Sequence, residues 1–438
     1  MHKIKDMSET SFLKLFFVCF SLAFVVGAFF MPDSADMFNG LREILFNPIK
    51  QPCNSFVIGG FAGTFLSVGL VGIAFTILAY LIPGVTLNGV STLGFILTVG
   101  FAFWGINIIN IWPTTIGCVL YCIVKKEPLN KCFNAMMFCT GVTPILTEFL
   151  LRYPNHEIKV TLIGLLIFMA SGIVVGFFMP AGLGHAPNVH KGFDLYSAAV
   201  HVGFSASLLY GFFYITLGVP VPDSVGSDMS VQNVFSTNMF CGVLFGMCIL
   251  VALLAGCRPK DYLAMIKDSV HVSDVAAKYG NHVFLMNVGV YGLCILACYN
   301  MIEAQFNAPI VGVVFCMLCT CNSGSHPGNV WPVLYGYVIG VLVFPGISYA
   351  LGGEFVATID SQSIAIGLCF ANGLSPICSK YSRMWLTVAS LIHYCLVTTI
   401  PSLYGGMCLY NGGLTAAFAC LIVIPQLERF CKVKEAYR

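Results

Sequence analysis

Charge is what this sequence has least of. Its 438 residues include 19 acidic and 21 basic side chains, 9% of the chain, where an ordinary soluble domain carries about 25%. A soluble protein of this length must clothe itself in polar groups, whereas lipid accepts apolar side chains on every face. With 58% of its residues hydrophobic, the chain reads as an all-α polytopic integral membrane protein. The few basic residues lie in short loops, form no patch or stripe, and leave a net charge of only +2, which excludes a nucleic-acid surface. Also missing are a phosphate-binding Gly-rich loop, a His-Glu-x-x-His motif and a nucleophile elbow. ATP-driven transport would therefore need another subunit, and no enzymatic activity, metal or cofactor is expected.

What is present is a series of apolar runs. The first, Phe12 to Met31, is followed by Pro32-Asp33 rather than a small-residue cleavage site, so it reads as a retained membrane helix and not a signal peptide. The 20 cysteines sit mostly inside such runs, where a thiol packs as a small hydrophobe, and Cys316, Cys319 and Cys321 lack a second pair at metal-site spacing. So much thiol suits folding in a reducing cytoplasm.

A simple span takes about 20 apolar residues. That ruler predicts about 14 crossings: 11–31, 55–82, 92–109, 111–124, 131–151, 158–180 and 193–218 in the first half, then 237–257, 282–301, 308–321, 329–349, 363–379, 384–400 and 405–427. Several are too short to be uninterrupted spans. Lys and Arg in short loops mark the cytoplasmic face. Lys3, Lys5 and Lys14, then Lys125, Lys126 and Lys131, then Arg258, Lys260, Lys267 and Lys278, and finally Arg429, Lys432, Lys434 and Arg438 belong there, while the central linker carries Asp223 and Asp228 and reads as external. The expected organisation is a cytoplasmic tail 1–10, a membrane repeat 11–218, an external linker 219–236, a second membrane repeat 237–427 and a cytoplasmic tail 428–438.

The two membrane blocks are related. Gly105, Asn110, Ile111, Trp112, Pro113 and Gly117 recur 219 residues later as Gly324, Asn329, Val330, Trp331, Pro332 and Gly336. Gly141-Val142-Thr143-Pro144 answers to Gly373-Leu374-Ser375-Pro376. Leu195-Tyr196-Ser197 with Phe204 answers to Leu409-Tyr410-Asn411 with Phe418, and Gly69 and Gly72 match Gly289 and Gly292. The loop after the fourth segment is basic, whereas its counterpart 349–362 has Glu354, Asp360 and no basic residue. A duplicated unit with an odd number of crossings inserts upside down relative to its twin, so the expectation is seven plus seven inverted segments, with five plus five and re-entrant loops as the other count.

Interrupted helices in lipid leave backbone groups unpaired unless protein or a water-filled cavity covers them. The structural breaks are expected at Gly105, Pro113, Gly141, Pro144, Gly324, Pro332, Gly373 and Pro376, where glycine frees the backbone and proline removes a donor. Polar residues gather there, and Asn107, Asn110, Thr143, His326, Asn329, Asn372 and Ser375 are the candidate substrate- or ion-binding residues. The opposing reading is that Asn-x-Trp-Pro merely starts a helix at the interface, with Trp in the aromatic belt. Intramembrane ionisable residues are costly and mark pathways, so Glu148, Asp194 and His201 are candidate coupling residues. A helix-end ion pair with Arg152 is the plain alternative for Glu148, and packing is the alternative for His201 and for His393. The glycines at 59, 60, 63, 69 and 72 read as close helix packing.

The doubled Asn-x-Trp-Pro, Gly-x-Thr/Ser-Pro and Leu-Tyr-Asn/Ser pattern resembles a family of bacterial membrane proteins known as domain of unknown function 1576, over nearly the whole chain. That resemblance implies a multi-pass protein of the inner membrane of a low-GC Gram-positive bacterium and brings no activity with it. The repeats differ where Ser197, Ala198 and Ala199 stand opposite Asn411, Gly412 and Gly413. A seven-plus-seven inverted arrangement also resembles the nucleobase and sulfate permeases, and the urea channels are the competing architecture. The function expected is a secondary transporter of a small polar solute, with a channel-like pore or a non-catalytic subunit of a larger complex as alternatives. The expected partners are the lipid bilayer, the small-molecule or ion substrate and, as an option, a second copy in a homodimer.

Overall fold

A computed structural model describes residues 3–268 and 274–434; Arg438, counted above in the basic tail, lies outside them. The described residues form α1 (Lys3–Asp6), α2 (Glu9–Ala28), α3 (Met37–Phe46), α4 (Ser55–Leu81), α5 (Gly89–Phe101), α6 (Trp112–Lys125), α7 (Phe133–Phe138), α8 (Thr143–Arg152), α9 (Leu162–His190) and α10 (Ala198–Tyr210). After the linker come α11 (Val234–Leu254), α12 (Pro259–Lys267), α13 (Val275–Tyr279), α14 (Asn281–Met301), α15 (Ala308–Leu318), α16 (Pro327–Ala350), α17 (Gln362–Ala371), α18 (Ser375–Lys380), α19 (Arg383–Leu396) and α20 (Asn411–Phe430). Each expected segment falls on one or more of these helices. Among the described residues, nine stretches are long and apolar enough to cross a bilayer: α2, α4, the α7–α8 stretch Leu129–Arg152, α9, α10 extended to Thr216, α11, α14, α16 and α20. Helices α5 and α15 are shorter apolar pieces, cut by the glycine- and proline-bearing breaks that follow them.

Helix starts coincide with short polar side chains. Asn54 accepts from Phe56 N, Asn88 from Ser91 N, Thr161 from Gly164 N, Asn307 from Ile310 N and Ser382 from Trp385 N. Each satisfies a first-turn amide that has no intrahelical acceptor. Inside α4 the backbone leaves the helical region at Gly59 and Gly60, the latter at φ +66°. The Asp33 carboxylate caps the restarted helix there, accepting from Phe61 N (2.8 Å) and Ala62 N (2.9 Å).

Small residues set the closest helix crossings. A Cβ on Gly69 would lie 2.9 Å from Val25 N of α2, one on Gly289 2.6 Å from Phe245 O of α11, and one on Gly312 2.5 Å from Gly100 O. The last contact is the crossing of α5 and α15, which sit at the centre: every residue of α15, and every residue of α5 except Val90, is buried. Burial of the candidate spans falls from 94% in Leu129–Arg152 to 28% in α11. The interrupted segment is thus enclosed by protein and the continuous helix is peripheral, as lipid requires of a broken backbone.

Hydrogen bonds identify the two ends of the molecule. At one, Gln51 N donates to Gly406 O (2.9 Å), Asn54 Nδ2 to Asp228 O and Val231 O (2.9 Å each), Asn307 Nδ2 to Met229 O (3.0 Å) and Arg152 Nη2 to Asp223 O (3.0 Å). At the other, Asn281 Nδ2 donates to Ile4 O and Met7 O (3.0 Å each), Gly89 N to Asp274 Oδ2 (2.7 Å) and Asn130 Nδ2 to Gly84 O (2.8 Å). The stretches carrying Lys3, Lys5, Lys125, Lys126 and Lys131 meet at this second end. Helix α5 starts there, and the turn after it reaches the first end, where Gln51 Nε2 donates to Trp104 O (2.8 Å). Helix α15 runs the other way. Its start is tied to Asn54 through Ala308 N (3.1 Å), and the turn after it accepts Val275 N at Asn322 O (2.9 Å).

Candidate functional site

The two Asn-x-Trp-Pro breaks have the same internal wiring. In the first, Asn107 N donates to Asn110 Oδ1 (2.9 Å) and Asn110 Nδ2 to Gly105 O (3.1 Å). In the second, His326 N donates to Asn329 Oδ1 (3.0 Å) and Asn329 Nδ2 to Gly324 O (2.9 Å). Asn107 Oδ1 accepts from Ile109 N (2.9 Å), and His326 Nδ1 accepts from Gly328 N (3.0 Å) in its place. The histidine therefore does the capping work of the asparagine it replaces. Each break also meets the Gly-x-Thr/Ser-Pro segment of its own half: Thr143 Oγ1 donates to Gly105 O (2.7 Å), and Ser375 Oγ pairs with Ser325 Oγ (3.3 Å). The breaks are tied to opposite ends of the molecule, by Asn107 Nδ2 to Ile44 O (3.3 Å) and by Asn322 Nδ2 to Thr92 Oγ1 (3.2 Å).

What crosses between the halves is a different pair of features. Helices α7 and α8 are separated by the 3-10 turn Cys139–Val142, and α17 and α18 by Asn372–Leu374. Against each lies a connecting loop from the other half. Leu195 N donates to Gly373 O (3.0 Å), and Leu409 N donates to Gly141 O (3.0 Å). The adjoining tyrosines fill the space over the two glycines, Tyr196 against Gly373 and Tyr410 against Gly141. Only glycine permits this approach, since a Cβ on Gly373 would lie 2.5 Å from Tyr196 Cδ2.

On the Tyr196 side a polar cluster closes over the α5–α15 crossing. Tyr196 Oη lies within donating distance of Asn372 Oδ1 (2.7 Å) and Cys316 O (2.9 Å), while Asn372 Nδ2 reaches Tyr291 Oη (3.0 Å), Met317 O (2.9 Å) and Thr320 Oγ1 (3.1 Å). Asn372 and Thr320 are fully buried. On the other side Thr140 stands where the second half has Asn372, and its hydroxyl is spent on Met137 O (2.6 Å). The Tyr410 hydroxyl is buried without a hydrogen-bond partner. Of this cluster, sequence reasoning selected only Asn372. The Leu-Tyr repeat was visible, but nothing in it says that Tyr196, Tyr291 and Thr320 converge on Asn372 from three separated stretches.

The ionisable candidates separate. Glu148 forms an ion pair with Arg152 (2.9 Å), in contact rather than aligned as a hydrogen bond, and accepts from Lys50 N (3.3 Å). His393 accepts from Tyr337 Oη at Nδ1 (2.8 Å) and donates from Nε2 to Gly412 O (2.9 Å), a fully satisfied packing histidine. His201 packs on Gly182, and its Nε2 finds no partner. Asp194 lies in the 191–197 loop, 3% exposed, with Oδ1 accepting from Tyr196 N (2.8 Å) and Oδ2 unpartnered. A cavity of about 810 Å³ between α2 and α11 is lined by Phe16, Phe20, Met239, Phe240 and Met247 among others. Its apolar walls suit lipid chains rather than a polar solute.

The chain matches the family model described as "Protein of unknown function (DUF1576)" over residues 33–217 and 259–429. No curated protein and no solved structure matches it.

Proposed function

The chain belongs to that family, whose description carries no activity, and from the geometry we propose that it is a secondary transporter of a small polar solute rather than an enzyme, built from two inverted seven-segment repeats. The observation that carries the proposal is the reciprocal pair of bonds Leu195–Gly373 and Leu409–Gly141, which joins each unwound turn to the loop of the other half. The opposite directions of α5 and α15 support the inverted repeat, and the glycine and Leu-Tyr pairs give it register. Broken helices facing each other across such an axis leave backbone groups and half-helix ends free to bind a solute, and rocking of the halves exposes them alternately.

The solute site in this reading is the cluster of Asn372, Tyr196, Tyr291 and Thr320. It offers donors and acceptors and no fixed positive charge, which suits a neutral or weakly anionic solute. The basic end of the molecule faces the cytoplasm of a bacterial cell and the linker faces outward, by the positive-inside rule.

The test is thermal unfolding of the purified protein against a panel of nucleobases, amides, amino acids and small anions, repeated on Asn372→Ala. A ligand at 100 times its Kd adds about 2.7 kcal/mol to stability. The expected result is a hit that Asn372→Ala abolishes. A hit unaffected by Asn372→Ala removes this site, and no hit in the panel with a folded protein removes the solute class.

A further inference from the structure

Two carboxylates are buried among the described residues, Glu148 and Asp194, and they are treated differently. Glu148 has the Arg152 guanidinium against it. None of the ion pairs among the described residues involves Asp194. Its one donor is Tyr196 N on Oδ1, a Cβ on Gly373 would lie 2.9 Å from the same oxygen, and Oδ2 has no hydrogen-bond partner. An ionised carboxylate in such a place is costly by several kcal/mol unless something compensates it.

The charged and titratable groups around it do not compensate. On α9, His190 accepts the Asp194 amide at Nδ1 (3.2 Å) and pairs with Ser197 Oγ through Nε2 (2.9 Å), so it is neutral in this arrangement. Lys191 is engaged with Glu428 of α20, the helix that also carries the buried Cys420. At the end of α18, Lys380 lies over the Phe193 ring (5.0 Å), which also stacks on Tyr381. The equivalent position in the other half, set by the Leu195 and Leu409 match, is Cys408. The two loops are alike in backbone and differ in carrying one carboxyl group.

That carboxyl is wired to the axis, because its Oδ1 holds the amide of the residue whose ring closes over Gly373 and whose hydroxyl reaches Asn372. We propose that Asp194 is the proton-binding residue of the transport cycle: protonated at Oδ2, it lets the 191–197 loop dock on the Asn372–Leu374 turn, and loss of that proton to water at the exposed Lys191–Gly192 turn releases the loop and Tyr196 with it. This deepens the transporter reading and rests on it. A proton needs no coordination shell, and no group of three or more His, Cys, Asp or Glu side chains among the described residues is placed to hold a metal ion.

The loop lies between the spans Leu162–His190 and Ala198–Thr216, and burial pushes the Asp194 carboxyl up from 3.8 to about 7. A folded-state value above the unfolded one means that the unfolded chain ionises first as pH rises. The native state therefore loses stability across that window and no further above it. The experiment is thermal unfolding of wild type and Asp194→Asn against pH, in sodium chloride and in choline chloride. Wild type should fall relative to Asp194→Asn between the ends of the window, equally in both salts. A constant difference across the window overturns the proposal, and a loss that sodium alone reverses replaces the proton by a metal cation. Should Asp194→Asn fail to fold, the infrared carboxyl band of wild type and of the Glu9→Gln, Glu148→Gln double variant decides. A band that titrates in both supports Asp194, and its absence from either overturns the assignment. The ligand panel is read without this variant, so a titrating Asp194 in a protein that binds no solute removes transport alone, and a silent Asp194 in a protein that binds one removes coupling alone.

Discussion

An asparagine amide at a helix break has both a donor and an acceptor to place. Asn110 and Asn329 place both on the backbone of their own break, across the same five-residue reach to a glycine carbonyl. Removing either leaves a buried backbone amide unpaired, that of Asn107 or of His326; the Gly324 carbonyl is stranded as well, whereas Gly105 O keeps Thr143, so Asn110→Ala and Asn329→Ala should each cost about 1–3 kcal/mol in thermal unfolding. A cost in one alone would end the equivalence of the breaks. The central tyrosines should behave oppositely: Tyr196→Phe loses a hydroxyl that is bonded and should cost about 0.5–1.5 kcal/mol, whereas Tyr410→Phe removes one that is not and should cost nothing. The pairing of the asparagines was legible from their spacing. That His326 takes the Asn107 role was not, because a histidine nitrogen and an asparagine oxygen become equivalent acceptors only once the backbone amide they face is known.

At the scale of elements, glycine decides how near two helices come. Gly312 faces Gly100 at the α5–α15 crossing with no room for a methyl group, and Gly312→Ala should cost about 1–3 kcal/mol through overpacking. Gly60, at φ +66° and ψ −177° under the Asp33 cap, should lose about 1–3 kcal/mol as alanine from a backbone region essentially confined to glycine. Unfolding midpoints of these two variants against Gly246→Ala, where a Cβ meets nothing within 4 Å, give the comparison. An equal effect at all three positions would sink the packing argument. The glycine stripes are readable as packing faces from their spacing, but not their partners. The α4 stripe meets α2 and α3, and its counterpart on α14 meets α11.

For the whole molecule the sidedness prediction is direct. In intact cells a membrane-impermeant maleimide should label Asp360→Cys, in the acidic loop 351–361, and should reach Lys126→Cys only after permeabilisation, with the native exposed Cys19, Cys294 and Cys395, which lie in helices, as background. Labelling of both variants in intact cells would overturn the orientation. Composition alone suffices for a multi-pass helical membrane protein, because lipid tolerates few charges, and the matched glycine and proline spacing is what supports the proposed pair of related halves. Composition and spacing miss the break at Gly59 and Gly60 inside α4, read from spacing as a packing face, and they place one at Pro332, where α16 runs on unbroken from Pro327. Which groups face each other across the centre was a matter for the tertiary structure. Turn 139–142 meets loop 405–410 through Leu409 and Gly141, and turn 372–374 meets loop 191–197 through Gly373 and Leu195, and contacts so distant in sequence are set by how the helices pack, which no local pattern encodes.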